Sequence, residues 1–353
     1  MSKGVPVGAP LSLSGIVGPV MSDQLVEREI VAPVDICRPD GRLNPEAVGW
    51  SRFPQHRANL GGWGRNKRFE YWCIIAPDLI VSANISHHDY RANVSATAVD
   101  RETGAKAGKG ANLWLPRANM LSDPTHGVSM RADAPGLTLR LEPNSAGTRL
   151  IAETADMRFD LQAHTPPGHE SMGVLVPWSS SRFQYTRKDN CIPVEGLVET
   201  SGRQYQLSAD TTLALYDHGR GRWPYHTRWN WGAGSGYCDG RQLGINIGGK
   251  WTDGTPSSEN FVRIDGRINK ISEHLTWHYD PKDWLAPWRV TGARVDLTFT
   301  PNHHQLYLFD RWVIMARADH CFGHFNGTVV ADDGTTVPVR EIFGMIEEVE
   351  RRW

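Results

Sequence analysis

No apolar stretch in this sequence approaches the roughly 20 residues that a membrane-spanning helix requires. The most apolar window, Tyr71-Trp72-Cys73-Ile74-Ile75-Ala76, is interrupted by Pro77-Asp78, so a helical membrane span is not expected. Charge of one sign is not in excess either. The 38 basic residues stand against 39 acidic ones, with no run of five like charges, which argues against sequence-independent nucleic-acid binding. Cysteine is scarce: Cys37, Cys73, Cys191, Cys238 and Cys321 are odd in number and scattered, with no C-x-x-C spacing. That usage predicts a reducing, cytoplasmic setting rather than a disulfide framework or a zinc site.

Other chemistry-bearing patterns are missing as well. No glycine-rich strand-to-helix phosphate motif occurs, and Gly234-Ser235-Gly236 lacks the G-x-S-x-G elbow of a serine hydrolase. The histidine doublets His87-His88 and His303-His304 would point to opposite faces of a strand, so they cannot easily chelate one ion. No metal and no cofactor are therefore expected. His218 and His226 remain as candidates for proton transfer, because imidazole titrates near neutrality.

What the chain does contain is 35 glycines, 22 prolines and 14 tryptophans in 353 residues. Glycine and proline interrupt helices while large rings suit a pleated surface, so the composition predicts an all-β protein of many short antiparallel strands. Met157 to Gln162 and Arg294 to Thr300 alternate apolar and polar residues, as half-buried strands do. Turn signals fall at Pro77-Asp78, Glu102-Thr103-Gly104, Ser145-Ala146-Gly147 and Asp332-Asp333-Gly334. Pro45-Glu46-Ala47-Val48 can form one helical turn after Asn44 as N-cap. A short C-terminal helix is predicted over residues 341–353, where Ile342, Phe343, Ile346 and Val349 recur at three- and four-residue steps.

An internal echo suggests two units. Leu137 to Asn144 and Val295 to Asn302 are alternating segments that both end in Pro-Asn, about half a chain apart. With Pro166-Pro167-Gly168 as breaker, the expected division is a flexible lead-in over 1–24, a first β unit over 25–170 and a second over 171–353.

The segment from Gly219 to Gly266 interleaves aromatics, charges and glycines. Glycine contributes no packing and buried charges must find partners, so such a mixture is easier to explain as a site than as plain core. In an extended chain Trp229 and Trp231 share one face, and Arg228 and Asn230 the other. Tyr237, Asp239, Lys250, Trp251, Glu259 and Asn260 follow. A second mixed patch, Asn59 to Trp72, places Arg68, Glu70 and Trp72 on one side of a strand, with Lys67 and Glu70 expected to pair structurally.

These stretches carry a resemblance. Trp63-Gly64-Arg65-Asn66-Lys67-Arg68, Val176-Pro177-Trp178, Gly219 to Tyr225, Trp229-Asn230-Trp231, Gly249 to Thr255, Glu259-Asn260 and Ala286-Pro287-Trp288-Arg289-Val290 resemble the bacterial family known as domain of unknown function 2804. The two-unit β plan is also similar to tandem lipocalin-like proteins that include carotenoid hydratases and cyclases. That resemblance implies two lipocalin-like barrel or sandwich units, a cavity for a hydrophobic small molecule and acid–base chemistry without a cofactor. Tyr237-x-Asp239 loosely matches the aromatic and acidic residues such enzymes place in the cavity.

Two functions are then expected. The first is a lyase or isomerase in which Asp239, kept partly protonated by an apolar wall of Trp229, Trp231 and Trp251, acts as the acid, and Tyr237 and His226 relay the proton. The second is a lipid- or steroid-like ligand carrier in which Arg228, Asn230, Lys250 and Glu259 hold a polar head group.

Overall fold

The computed structural model describes residues 24–116, 121, 123, 127–200 and 202–353. The lead-in expected over 1–24 therefore lies outside the described residues, apart from Gln24. Among the described residues the only helical segment is a 3-10 turn at Pro45–Ala47, whose Glu46 amide is capped by the Asn44 side chain at 3.2 Å. The rest of the regular structure is strand, arranged as two curled antiparallel sheets in tandem and one small parallel pair, Val34–Asp35 with His56–Arg57.

The larger sheet begins with β1 (Asn66–Ile75), β2 (Leu79–His87), β3 (Arg91–Asp100) and β4 (Lys106–Trp114). It continues with β5 (Met130–Ala134), β6 (Leu137–Asn144), β7 (Gly147–Thr154), β8 (Met157–His164), β9 (Phe183–Thr200) and β10 (Leu213–Arg222). Their order is β4-β3-β2-β1-β10-β9-β8-β7-β6-β5, with Gly49–Ser51, Met172–Pro177 and Arg203–Leu207 attached beside it. Alternate residues of the two flanks turn inward. Val94, Ala96 and Ala98 of β3 thus join Leu139, Leu150 and Phe159 in one buried cluster, and the sheet closes nearly into a barrel around it. This core is filled with side chains.

The smaller sheet holds β11 (His226–Cys238), β12 (Arg241–Gly249), β13 (Phe261–Ile264), β14 (Arg267–Lys270) and β15 (Thr276–His278). Its remaining members are β16 (Trp288–Thr291), β17 (Val295–Arg311), β18 (Ile314–Val330) and β19 (Thr336–Arg352), and the order is β14-β13-β12-β11-β19-β18-β17-β16-β15. Its concave face packs Ile245, Ile247, Trp288, Phe299, Phe325 and Ile346.

All four turn signals read from the sequence are hairpin connections, and both alternating segments are strands, β8 and the start of β17. The expected C-terminal helix is instead β19, paired along most of its length with both β18 and β11. A bulge explains the misreading. Arg340 and Glu341 together oppose Asn326, and Glu341 has φ 51°. The extra residue shifts the phase, so Val337 and Val339 before it and Ile342 and Ile346 after it all reach the same core. With Phe343 and Met345 buried toward the other sheet, the apolar spacing imitates a helical one.

Pro143-Asn144 ends β6 at a hairpin, whereas Pro301-Asn302 forms a bulge inside the longer β17. The chain passes from the larger sheet to the smaller between Arg222 and His226, while Pro166-Pro167-Gly168 connects β8 to Met172–Pro177. Where the two sheets meet, Cys73, Ile80, Leu215, Trp231, Phe322 and Met345 form a shared apolar contact. A second contact joins Met172, Val174 and Val176 to Trp251, Phe261 and Ile268, and beside these two contacts the sheets separate.

Candidate functional site

The separation is a cavity of about 490 Å³ between the sheets, walled by strands of both. It lies outside the barrel core. Strand alternation produces this arrangement: on β1 the even positions Glu70, Trp72 and Ile74 point away, while Lys67, Phe69 and Tyr71 line the cavity. On β11 the lining residues are Trp229 and Trp231, on β18 His320 and Phe322, and on β19 Glu347 and Arg351. A volume of this size suits a drug-sized molecule.

Ionisable groups are set into this wall. Lys188 of β9 sits 2.7 Å from Asp217 and 3.1 Å from Glu259, with its ammonium 4.1 Å above the Trp231 ring. Burial opposes the charge on Lys188, but the two carboxylates outweigh it and hold its proton affinity above the ordinary lysine value. Burial raises the carboxyls of both Asp217 and Glu259, with Lys188 pulling against it. Thr186 donates to Asp217 at 3.0 Å, and the Trp251 indole N–H donates to Glu259. Glu259 fits only because residue 248 is glycine: a Cβ there would fall 2.0 Å from its Oε1.

A second acid stands alone. Glu347 accepts a hydrogen bond from Trp229 Nε1 at 2.9 Å on Oε1, and its Oε2 is 4.0 Å from His320 Nδ1. Burial raises the Glu347 carboxyl, opposed by the Trp229 N–H and by Arg351. Burial lowers His320 to about 4, with Lys106, His304 and His303 adding to the effect. The other imidazole nitrogen, Nε2, lies 3.1 Å from Met345 Sδ, which can only accept. The proton therefore belongs on Nε2, leaving the Nδ1 lone pair toward Glu347. In water a glutamate and a histidine would exchange that proton. Here desolvation favours the un-ionised pair.

The sequence matches, over residues 27–353, the family model described as domain of unknown function (DUF2804). The chain belongs to that family. Among curated proteins, none matches the sequence. In solved structures, a protein assigned as an AttH from Nitrosomonas europaea shares 12% identity, covering 91% of this chain and 99% of its own, at a TM-score of 0.48. Kievitone hydratase from Nectria haematococca shares 9% identity over 81% of this chain and 88% of its own, at a TM-score of 0.48. The protein CghA shares 10% over 81% and 88%, at a TM-score of 0.42.

In this DUF2804 chain Lys67, Trp223, Trp229, Trp231, Trp251 and Glu259 line the cavity, and all six lie in the stretches that carry the sequence resemblance. Of the residues expected as substrate-binding, only Trp229, Trp231, Trp251 and Glu259 are among them. Arg228 pairs with Glu350 at 3.0 Å on the far side of β11, and Asn230 is buried there beside Tyr279. Lys250 pairs with Glu348 at 3.1 Å, and Asn260 spends its side chain on the Gly248 amide and the Glu273 carbonyl.

The three residues expected to be catalytic do not reach the cavity. Asp239 occupies the β11–β12 turn with φ 50°, its side chain 58% exposed and paired with Arg340. Tyr237 is exposed beside Gln242, and His226 is exposed and bonded to Glu350 at 2.8 Å. Strand course explains this: His226 shares the outward face of β11 with Arg228, while Tyr237 and Asp239 lie past Trp229 and Trp231, the β11 residues in the cavity wall, where the strand runs out into solvent. His218 lies on the other face of the larger sheet, where its Nδ1 is 2.6 Å from Glu70, and Arg220 also bonds that carboxylate. Lys67 and Glu70 thus do not pair, since an odd and an even position of one strand face opposite ways.

Sequence reasoning missed Lys188, Asp217, His320, Glu347 and Arg351. Glu347 and Arg351 were hidden by the helical reading of β19. The others come from strands far apart in sequence, and only the inter-sheet geometry assembles them.

Among the described residues no helix is long and apolar enough to cross a membrane, and no three His, Cys, Asp or Glu side chains converge as a metal-ligand set.

Proposed function

We propose that this chain is a lyase or isomerase of the hydratase, dehydratase or cyclase type, acting by acid–base chemistry on a hydrophobic small molecule held between its two sheets. The observation that carries this reading is the Glu347–His320 pair, an acid and a base 4.0 Å apart in a cavity lined with tryptophan.

Glu347 gives its proton to an alkene carbon or to a departing hydroxyl. The positive charge that develops is stabilised by the faces of Trp229 and Trp231, which lie at the same wall. His320 Nδ1 takes a proton from the adjacent carbon, or from the water that adds. The Lys188, Asp217 and Glu259 group, whose ammonium lies over the Trp231 ring, binds a polar substituent. Trp229 has two roles here, since its indole N–H fixes the Glu347 carboxyl while its ring forms part of the wall.

The test is a panel of apolar alkenes and allylic alcohols incubated with the protein in deuterated water. Solvent deuterium is expected at carbon in at least one product, and Glu347→Gln is expected to lower that incorporation at least 100-fold while ligand-dependent quenching of tryptophan fluorescence persists. Full incorporation by Glu347→Gln contradicts the assignment, and binding without any turnover across the panel supports a carrier instead.

A further inference from the structure

Lys67 is the unusual cation of the cavity. Lys188 has two carboxylate partners, whereas among the described residues no carboxylate lies within ion-pair distance of Lys67. Its amino group is instead surrounded by rings: 3.5 Å from the centroid of Trp223, 4.8 Å from Trp353, 4.9 Å from Phe69 and 5.3 Å from Trp229. The residue is only 4% exposed, yet it lines the cavity. Three of the four rings are themselves fixed. The Trp223 indole N–H is bonded to Gln184, that of Trp229 to Glu347, and Trp353 is held through its backbone by Tyr225 and Arg65. The acid–base chemistry described above does not use this amine.

We infer that Lys67 is a covalent attachment point for an aldehyde or ketone, and that the cavity forms an imine with a hydrophobic carbonyl compound at its Nζ. The inference rests on the cavity being a small-molecule site and adds a substrate class to it. The nitrogen lone pair forms the C–N bond as the C–O π bond breaks, and one nitrogen proton passes to the oxygen. The resulting carbinolamine loses that oxygen as water with the second nitrogen proton, so that amine and carbonyl give imine and one water. Hydrolysis reverses the same steps, and no oxidant or reductant is required. When the imine takes up a proton, its charge is spread over nitrogen and carbon, and ring faces on several sides stabilise such a delocalised cation. The cage also keeps bulk water from the C=N bond.

The attacking form must be the free amine. An ordinary lysine at pH 7 offers roughly 1 molecule in 2,500 in that form. Burial pulls Lys67 well below the usual lysine range, with Arg351 and Lys188 adding to this and Asp217 and Glu347 opposing it, and the net effect enlarges the free-amine share.

The experiment treats the full-length protein at pH 7 with cinnamaldehyde and sodium cyanoborohydride, followed by intact mass and peptide mapping. The chain has only eight lysines, so every site is resolved. Lys67 is expected to be labelled at least tenfold faster than the exposed lysines, with a single predominant adduct that disappears in Lys67→Arg. Glu347→Gln is expected to retain the adduct, which separates this inference from the acid–base assignment. Labelling spread over the other lysines with Lys67 unmodified overturns the inference, as does an unchanged adduct in Lys67→Arg. Should Lys67→Arg fail to fold, the wild-type peptide map decides alone. If cinnamaldehyde quenches the tryptophan fluorescence of the wild type yet leaves Lys67 unlabelled, the covalent step is wrong and the small-molecule site stands.

Discussion

Burial moves the proton affinities of Glu347 and His320 in opposite directions, raising the acid and lowering the base, which is the direction the proposed acid–base role requires. At this scale the sequence was half legible. Trp229 and Trp231 share a face because strand alternation is a local property, and Trp251 and Glu259 follow from the same crowded segment. Asp239 was the natural choice of acid from composition, but its place in a turn at positive φ could not be seen without knowing where β11 ends. Asp239→Asn keeps a residue that tolerates this backbone conformation and removes only an exposed ion pair. It is therefore expected to leave turnover within about twofold and the urea midpoint of unfolding nearly unchanged. A large loss of kcat in that variant, with folding intact, would return the catalytic role to the turn.

Among the elements, β19 does the most to build the site. It is central in the smaller sheet, sends Ile342 and Ile346 into that sheet's core, and presents Glu347 and Arg351 to the cavity. Hairpins such as β1–β2 and β6–β7 were readable because their turn residues and alternation agree. The course of β19 was not, because a single bulge and apolar side chains on both faces produce three- and four-residue spacings in a strand. Ile346 is completely buried. Ile346→Ala is expected to cost about 2–5 kcal/mol, read as a lowered urea midpoint with unchanged slope. A cost below about 0.5 kcal/mol would mean that this side chain does not enter the core as described.

For the whole molecule, two sheets each fill their own concave face and leave a cavity where their outer faces meet, walled by tryptophans with ionisable groups set among them. The all-β, tandem plan was visible in composition and turns. The position of the cavity was not, because it depends on how one sheet lies against the other. Stability should respond to acid through the buried histidines. Burial holds His56, His218 and His320 each at about 4 in the fold, against an ordinary value of 6.5. The unfolded chain takes up these protons first as pH falls, so their contribution is complete above about pH 6.5 and is lost progressively down to about pH 4. Each histidine contributes on the order of 3 kcal/mol. Urea unfolding at pH 7, 5 and 4 is expected to show a loss of several kcal/mol, and a flat profile over that interval would be inconsistent with three neutral buried imidazoles.

The central claim is that a carboxylic acid at position 347 stays un-ionised in a cavity between the sheets. Infrared difference spectroscopy of the wild type against Glu347→Gln, followed as a function of pH, observes the C=O stretch of that group directly. The account requires a carboxylic-acid band absent from the variant that persists above the ordinary glutamate range of about 4.3 before it is lost. A difference spectrum without that band, or one in which it vanishes at or below the ordinary range, would contradict it.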